Sequence, residues 1–104
     1  MTDRELLELA AKAVGIDLCW NDAEAPGYYS DFRGMPQWEY WNPLVFDGDA
    51  LRLAVKLNLW EAVRLAHRQL GAPECPDLYA ATRRAIVCAA AEIGKQAREK
   101  IIAP

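Results

Sequence analysis

Asp17, Asp31 and Glu39 are the carboxylates that a period-two strand pattern could bring to one sheet face. Converging carboxylates are the raw material of metal-assisted or acid–base hydrolysis. Their spacing does not dictate a catalytic set, and solvated surface acids account for them. Asp47-Gly48-Asp49 has the opening of a calcium loop but lacks the later ligands and the bidentate Glu, and helix capping accounts for it. His67 is the only histidine. It falls among Glu61, Arg64 and Arg68 on the expected solvent side of a helix, with no Cys or His at ligand spacing. Ser30, the only serine, has no nucleophile elbow around it. Cys19, Cys75 and Cys88 form no C-x-x-C pair, so neither zinc nor redox chemistry is indicated, and Cys88 reads as a small core residue. There is no glycine-rich phosphate loop. The expectation is a protein that is not an enzyme and takes no cofactor or metal.

The aromatic residues carry the stronger signal. Eight of the ten lie between positions 20 and 46: Trp20, Tyr28, Tyr29, Phe32, Trp38, Tyr40, Trp41 and Phe46. Strand alternation would leave part of this set on a face that no helix covers, and exposed Trp and Tyr are common binding anchors. The candidate binding residues are therefore Trp20, Tyr29, Trp38, Tyr40 and Trp41, with Asp31 and Glu39 as an acidic rim and Asp17 beside them.

The elements that must position these residues follow from periodicity. Thr2 as N-cap and Glu5 as its capping-box partner open a helix over 3–14, with a stripe of Leu6, Leu9, Ala10 and Ala13 widened by Leu7 and Val14. Gly15 suits its end. Residues 16–20, 28–33 and 37–41 read as strands. Trp38 and Tyr40 lie on the face opposite Glu39 and Trp41, and turns fall at Pro26-Gly27 and Gly34-Met35-Pro36. Asp47 is the expected N-cap of a largely buried apolar helix over 48–57 that Asn58 ends. Residues 59–70 have a helical pattern, with Leu59, Val63, Ala66 and Leu70 on one face, closed by Gly71-Ala72-Pro73. A long helix over 78–98 should turn Leu78, Thr82, Ala85, Ile86, Ala89 and Ile93 inward, its alanines permitting close approach by a neighbour. The fold class is α+β, one domain over 1–104. It comprises an N-terminal helix, a three-stranded antiparallel meander, and two or three C-terminal helices packed on one face of the sheet.

Charge divides the chain of 104 residues and net charge −3. Residues 16–49 carry seven carboxylates against Arg33 alone, and residues 50–104 carry nine Lys or Arg against five Asp or Glu. The two regions could attract each other within the fold or present two poles to partners. Arg83, Arg84, Lys95, Arg98 and Lys100 on the last helix, with Arg84 and Lys95 sharing a face, read as a solvated edge. With pI near 5.1, nucleic acid is not the expected partner. The acidic N-terminus lacks a signal peptide's basic and apolar regions, and no apolar run is long enough to span a bilayer. The expected location is the cytoplasm.

Three segments carry a family resemblance. They are Thr2-Asp3-Arg4-Glu5-Leu6-Leu7-Glu8-Leu9-Ala10-Ala11-Lys12-Ala13, then Trp41-Asn42-Pro43-Leu44 with Asp47-Gly48-Asp49-Ala50-Leu51-Arg52-Leu53-Ala54-Val55, and lastly Ala80-Ala81-Thr82-Arg83-Arg84-Ala85-Ile86-Val87 with Ala90-Ala91-Glu92-Ile93-Gly94. Together, over about half the chain, they resemble a family of small proteins of unknown function encoded by tailed bacteriophages and prophages. The resemblance implies an accessory protein working in the cytoplasm of a bacterial host cell, and it transfers no catalytic residue. The chain departs from the family at 58–77, where a longer strand-like insertion is expected, so a helix and a strand pair both stand for that stretch. The first functional expectation is a phage or prophage protein that binds a host protein, such as a defence component, through the aromatic and acidic surface. The alternative is a small-ligand or nucleotide-binding module in which rings stack on a base and Arg33, Arg52 or Lys56 meets phosphate. An enzyme built on the carboxylates and an acidic DNA mimic rank behind these. A homodimer sharing the aromatic face is compatible with each.

Overall fold

The computed structural model describes residues 2–70 and 77–102. The order is α1 (Asp3–Val14), β1 (Cys19–Trp20), β2 (Pro26–Phe32), β3 (Met35–Tyr40), α2 (Asp47–Leu57), α3 (Trp60–Leu70) and α4 (Leu78–Ile102). This is the expected α+β arrangement: an N-terminal helix, a three-stranded antiparallel sheet ordered β1-β2-β3, and helices packed against it. Residues 60–70 form a helix rather than strands. The expected chain break at 71–73, Cys75, and the side chains of Ala66, His67, Leu70, Arg98 and Lys100 lie outside the described residues.

Helix α1 begins as its sequence dictates. The Thr2 hydroxyl accepts from the Glu5 N–H at 3.2 Å, and Gly15 ends the helix in the left-handed region at φ 77°. Leu6, Leu7, Leu9, Ala10 and Ala11 are buried, mainly against α4. The inner surface of α4 differs from the expected stripe. Ile86, Val87, Ala90, Ala91 and Gly94 are buried, whereas Leu78 and Ile93 are exposed. The physical reason is the closeness of the two helices. A Cβ on Gly94 would stand 1.9 Å from the Leu9 carbonyl oxygen, so the crossing selects small residues over large ones. Cys88 falls on the exposed side of this helix and is not a core residue.

The sheet departs from expectation at its turns. Strand β1 is confined to Cys19–Trp20. Asn21 closes the next loop, its Oδ1 accepting from the N–H groups of Ala23 and Ala25, each at 2.9 Å. Pro26 and Gly27 therefore belong to β2 rather than to a turn. The β2–β3 hairpin turns at Arg33-Gly34, where φ is 54° and 78°. Positive φ at both central residues of a two-residue loop is the type I′ signature, whose twist matches that of the strands. Met35 and Pro36 belong to β3.

Helix α2 starts after Phe46, which caps it without a side-chain hydrogen bond, so Asp47 is its first residue and not its N-cap. Asp47 instead pairs with Arg83 at 2.6 Å. Arg83 also donates from Nε to the Leu44 carbonyl at 3.0 Å, and Arg84 pairs with Asp3 at 3.0 Å. The basic helix thus meets acidic residues of both earlier parts of the chain. Asn58, at φ 55°, ends α2. One face of α2 is less covered than expected, since Leu51 and Val55 are exposed.

Candidate functional site

Register sorts the strand residues into two faces. Gly27 opposes Tyr40, Tyr29 opposes Trp38 and Asp31 opposes Pro36; between them Tyr28 opposes Glu39 and Ser30 opposes Gln37. Opposed residues project to the same side and alternate along each strand. One face therefore holds Trp20, Tyr28, Ser30, Gln37, Glu39 and, just past β3, Trp41. The other holds Cys19, Tyr29, Asp31, Trp38 and Tyr40.

The first face meets the helices at one end. Trp41 is buried, at 5% exposure, in a core with Leu6, Leu9, Leu53 and Val87, and Trp20 and Tyr28 pack against that core. The Arg4 guanidinium lies 4.5 Å from the centre of the Trp20 ring. Of the expected binding residues, Trp41 is thus a core side chain unavailable to a partner, and Trp20 is largely engaged from within. Both follow from strand parity, which aims them at the apolar stripes of the helices.

The second face stays open. Tyr29 and Tyr40 are exposed at 63% and 61%. Trp38 stands half-buried between them, 5.1 Å from Tyr29 and 6.0 Å from Tyr40 between ring centroids, edge to face in each case. The indole lies over Gly27. A Cβ there would fall 2.6 Å from Trp38 Cζ2 and 2.4 Å from the Glu39 carbonyl oxygen, so the bare backbone makes the seat for the ring. The Trp38 Nε1 is shut away from solvent with no hydrogen-bond partner among the described residues. Such a donor costs about 1–3 kcal/mol to bury, which the ring's packing on Gly27 and its two neighbours must offset.

The acidic residues do not converge. Asp31 shares the aromatic face and is exposed, whereas Glu39 projects to the other side, where Ser30 Oγ lies 3.4 Å from its Oε1. Asp17 lies in the segment before β1. No three His, Cys, Asp or Glu side chains among the described residues are grouped to hold a metal ion. Asp49 is the one buried charged residue among those described. Its carboxylate accepts from the Asn42 N–H at 2.9 Å and from Arg52, so it clamps the chain after β3 to α2.

Two concavities complete the surface. Arg52 and Lys56 meet Tyr28, Ile16 and Asp49 around a recess of about 280 Å³. Arg33 stays at the hairpin tip, 5.4 Å from the Phe32 ring centre. A larger apolar groove of about 590 Å³ runs between α2, α3 and α4, floored by Leu51, Trp60, Val63, Leu78, Tyr79 and Ile86. Sequence reasoning missed this groove. Its signal was a surplus of apolar positions on α2 and α3, more than one buried stripe can hold.

No protein-family model matches the chain, and neither a curated protein nor a solved structure shows significant similarity to it. No described helix is long and apolar enough to cross a membrane.

Proposed function

We propose that this is a non-enzymatic binding protein, a phage or prophage accessory factor that engages a host protein through the open face of its sheet. The observation that carries the reading is the ladder Tyr29–Trp38–Tyr40, three rings stacked edge to face on a surface no described helix covers. Two phenol rings at about 60% exposure offer large apolar area, low conformational entropy and a hydroxyl for the partner, the properties of interface anchors. Asp31 adds a negative charge on the same face and favours a partner with a basic rim.

The test is capture from bacterial lysate, scored quantitatively against variants. Tyr29→Ala, Tyr40→Ala and Asp31→Lys should each deplete the same captured host protein; each tyrosine variant loses one ring contact with Trp38, about 0.5–1.5 kcal/mol, and stays folded, and Asp31→Lys leaves the thermal transition nearly unchanged. An identical captured set from wild type and all three variants would sink the reading. Trp41→Ala does not belong in this test, because emptying a buried indole site costs about 3–5 kcal/mol.

A second reading is supported by the meeting of Tyr28, Arg52 and Lys56 at the smaller recess, a ring and two cations suited to a nucleotide. A nucleotide at a hundred times its dissociation constant adds about 2.7 kcal/mol of stability. Thermal shift across a nucleotide panel, with Arg52→Ala and Lys56→Ala as controls, checks it. A flat response from the wild type ends it.

A further inference from the structure

The hairpin carries a second recognition feature along its edge. The order β1-β2-β3 leaves the outer side of β3 unpaired among the described residues. The Trp41 N–H donates to the Pro26 carbonyl at 3.1 Å, which sets the phase of the ladder. Backbone groups of alternate residues in an antiparallel pair point to and away from the neighbour, so Met35, Gln37 and Glu39 face β2. Pro36, Trp38 and Tyr40 face outward. Pro36 thus sits where its missing N–H costs the sheet nothing. On the other side β1 ends at the Cys19–Gly27 pair, so the hairpin continues beyond it as a ribbon of two strands. Its tip residues, Phe32 and Met35, are exposed. A two-stranded ribbon in water is marginal by itself.

We propose that the free edge of β3 pairs with the same edge of a second copy, antiparallel about Trp38, joining two three-stranded sheets into one of six strands. This goes beyond the binding reading and does not depend on it, since the new contact lies along the strand edge and leaves both aromatic ladders facing outward on one continuous surface.

Three features select this occupant and this register. Centred on Trp38, the two chains exchange four backbone hydrogen bonds: each Trp38 N–H to the other Trp38 carbonyl, and each Tyr40 N–H to the other Pro36 carbonyl. Centred on Gln37, only the two Trp38 N–H groups would find carbonyls along extended strand, because Pro36 has no donor and Tyr40 would face the turn. Centred on Glu39, two carboxylates would stand directly opposite each other, which is unfavourable. The Trp38 register instead sets the Gln37 side-chain amide of each copy opposite the Glu39 carboxylate of the other, a donor facing an acceptor. It also places Trp38 beside Trp38 and Tyr40 beside Pro36 on the aromatic face.

Sedimentation equilibrium on the full chain, from micromolar to millimolar, tests the pairing in wild type, Gln37→Lys and Gln37→Glu. Position 37 is exposed and its backbone groups face β2, so both variants keep the fold. The wild type should show a monomer–dimer equilibrium. Gln37→Lys places a cation opposite Glu39 twice per dimer and should tighten association roughly twofold to thirtyfold; Gln37→Glu should weaken it by a similar factor. Monomers throughout in both wild type and Gln37→Lys would overturn the proposal and leave the edge to a foreign strand. A dimer that ignores both substitutions, or answers both in the same direction, would overturn it too, placing the interface elsewhere.

Discussion

At the scale of single residues, position decides what each charge or ring can do. Asp49 and Arg52 form one ion pair, yet they do not contribute equally. Asp49 is 6% exposed and also holds the Asn42 N–H, while most of the Arg52 side chain is in solvent. Asp49→Ala orphans a partly buried backbone donor and should cost about 1–3 kcal/mol. Arg52→Ala removes only a solvent-screened partner and should cost less than about 1 kcal/mol. Urea denaturation of the two variants checks the ranking, and equal losses would contradict it. The same contrast separates Trp41 from Tyr40, adjacent in sequence and opposite in fate. Strand parity read from Trp38, Glu39, Tyr40 and Trp41 already divided them into two faces. Which face the helices would cover was not legible, because that depends on where the chain after Asn42-Pro43 is fastened, and the fastener is the Asp49 carboxylate. Read locally, Asp49 is only an acid in a first helical turn.

At the scale of elements, α1 packs closely on α4. Ala10, Ala11, Ala90, Ala91 and Gly94 are buried there, and at Gly94 the partner backbone leaves no room for a methyl group. Gly94→Ala should therefore destabilise by about 3 kcal/mol or more, although alanine favours helix by about 1 kcal/mol elsewhere. At about 4–8 °C per kcal/mol for a domain of this size, calorimetry should record a fall in Tm of more than about 12 °C. A neutral or raised Tm would mean the helices are farther apart. The helices were legible from their periods, α1 from its caps as well, and the meander from its alternation. Two things were not. The inner stripe of α4 is chosen by fit to α1, which favours small residues, whereas hydrophobicity alone points to Leu78 and Ile93. The hairpin register depends on Arg33 adopting a left-handed backbone, which its side chain does not advertise. A reading that places the turn one residue late is the expected error.

At the scale of the whole molecule, the radius of gyration is 14.7 Å, above the roughly 13 Å of a compact chain of this length. Burial is uneven along the chain: Ala10, Val87 and Ala90 are closed to solvent, whereas Phe32 and Met35 at the hairpin tip are exposed. Opening free energies should be graded to match, because local stability follows local burial. In hydrogen exchange, the amides of Ala10 and Ala90 should be the slowest and those of Arg33 and Gly34 among the fastest. Uniform protection across both groups would contradict this division. In the ribbon, Phe32, Met35 and Gln37 are all exposed, while the residues that hold the chain folded lie at the helix crossings. Substitutions at these ribbon positions therefore carry little thermodynamic penalty, so their side chains can be exchanged while the scaffold beneath stays the same.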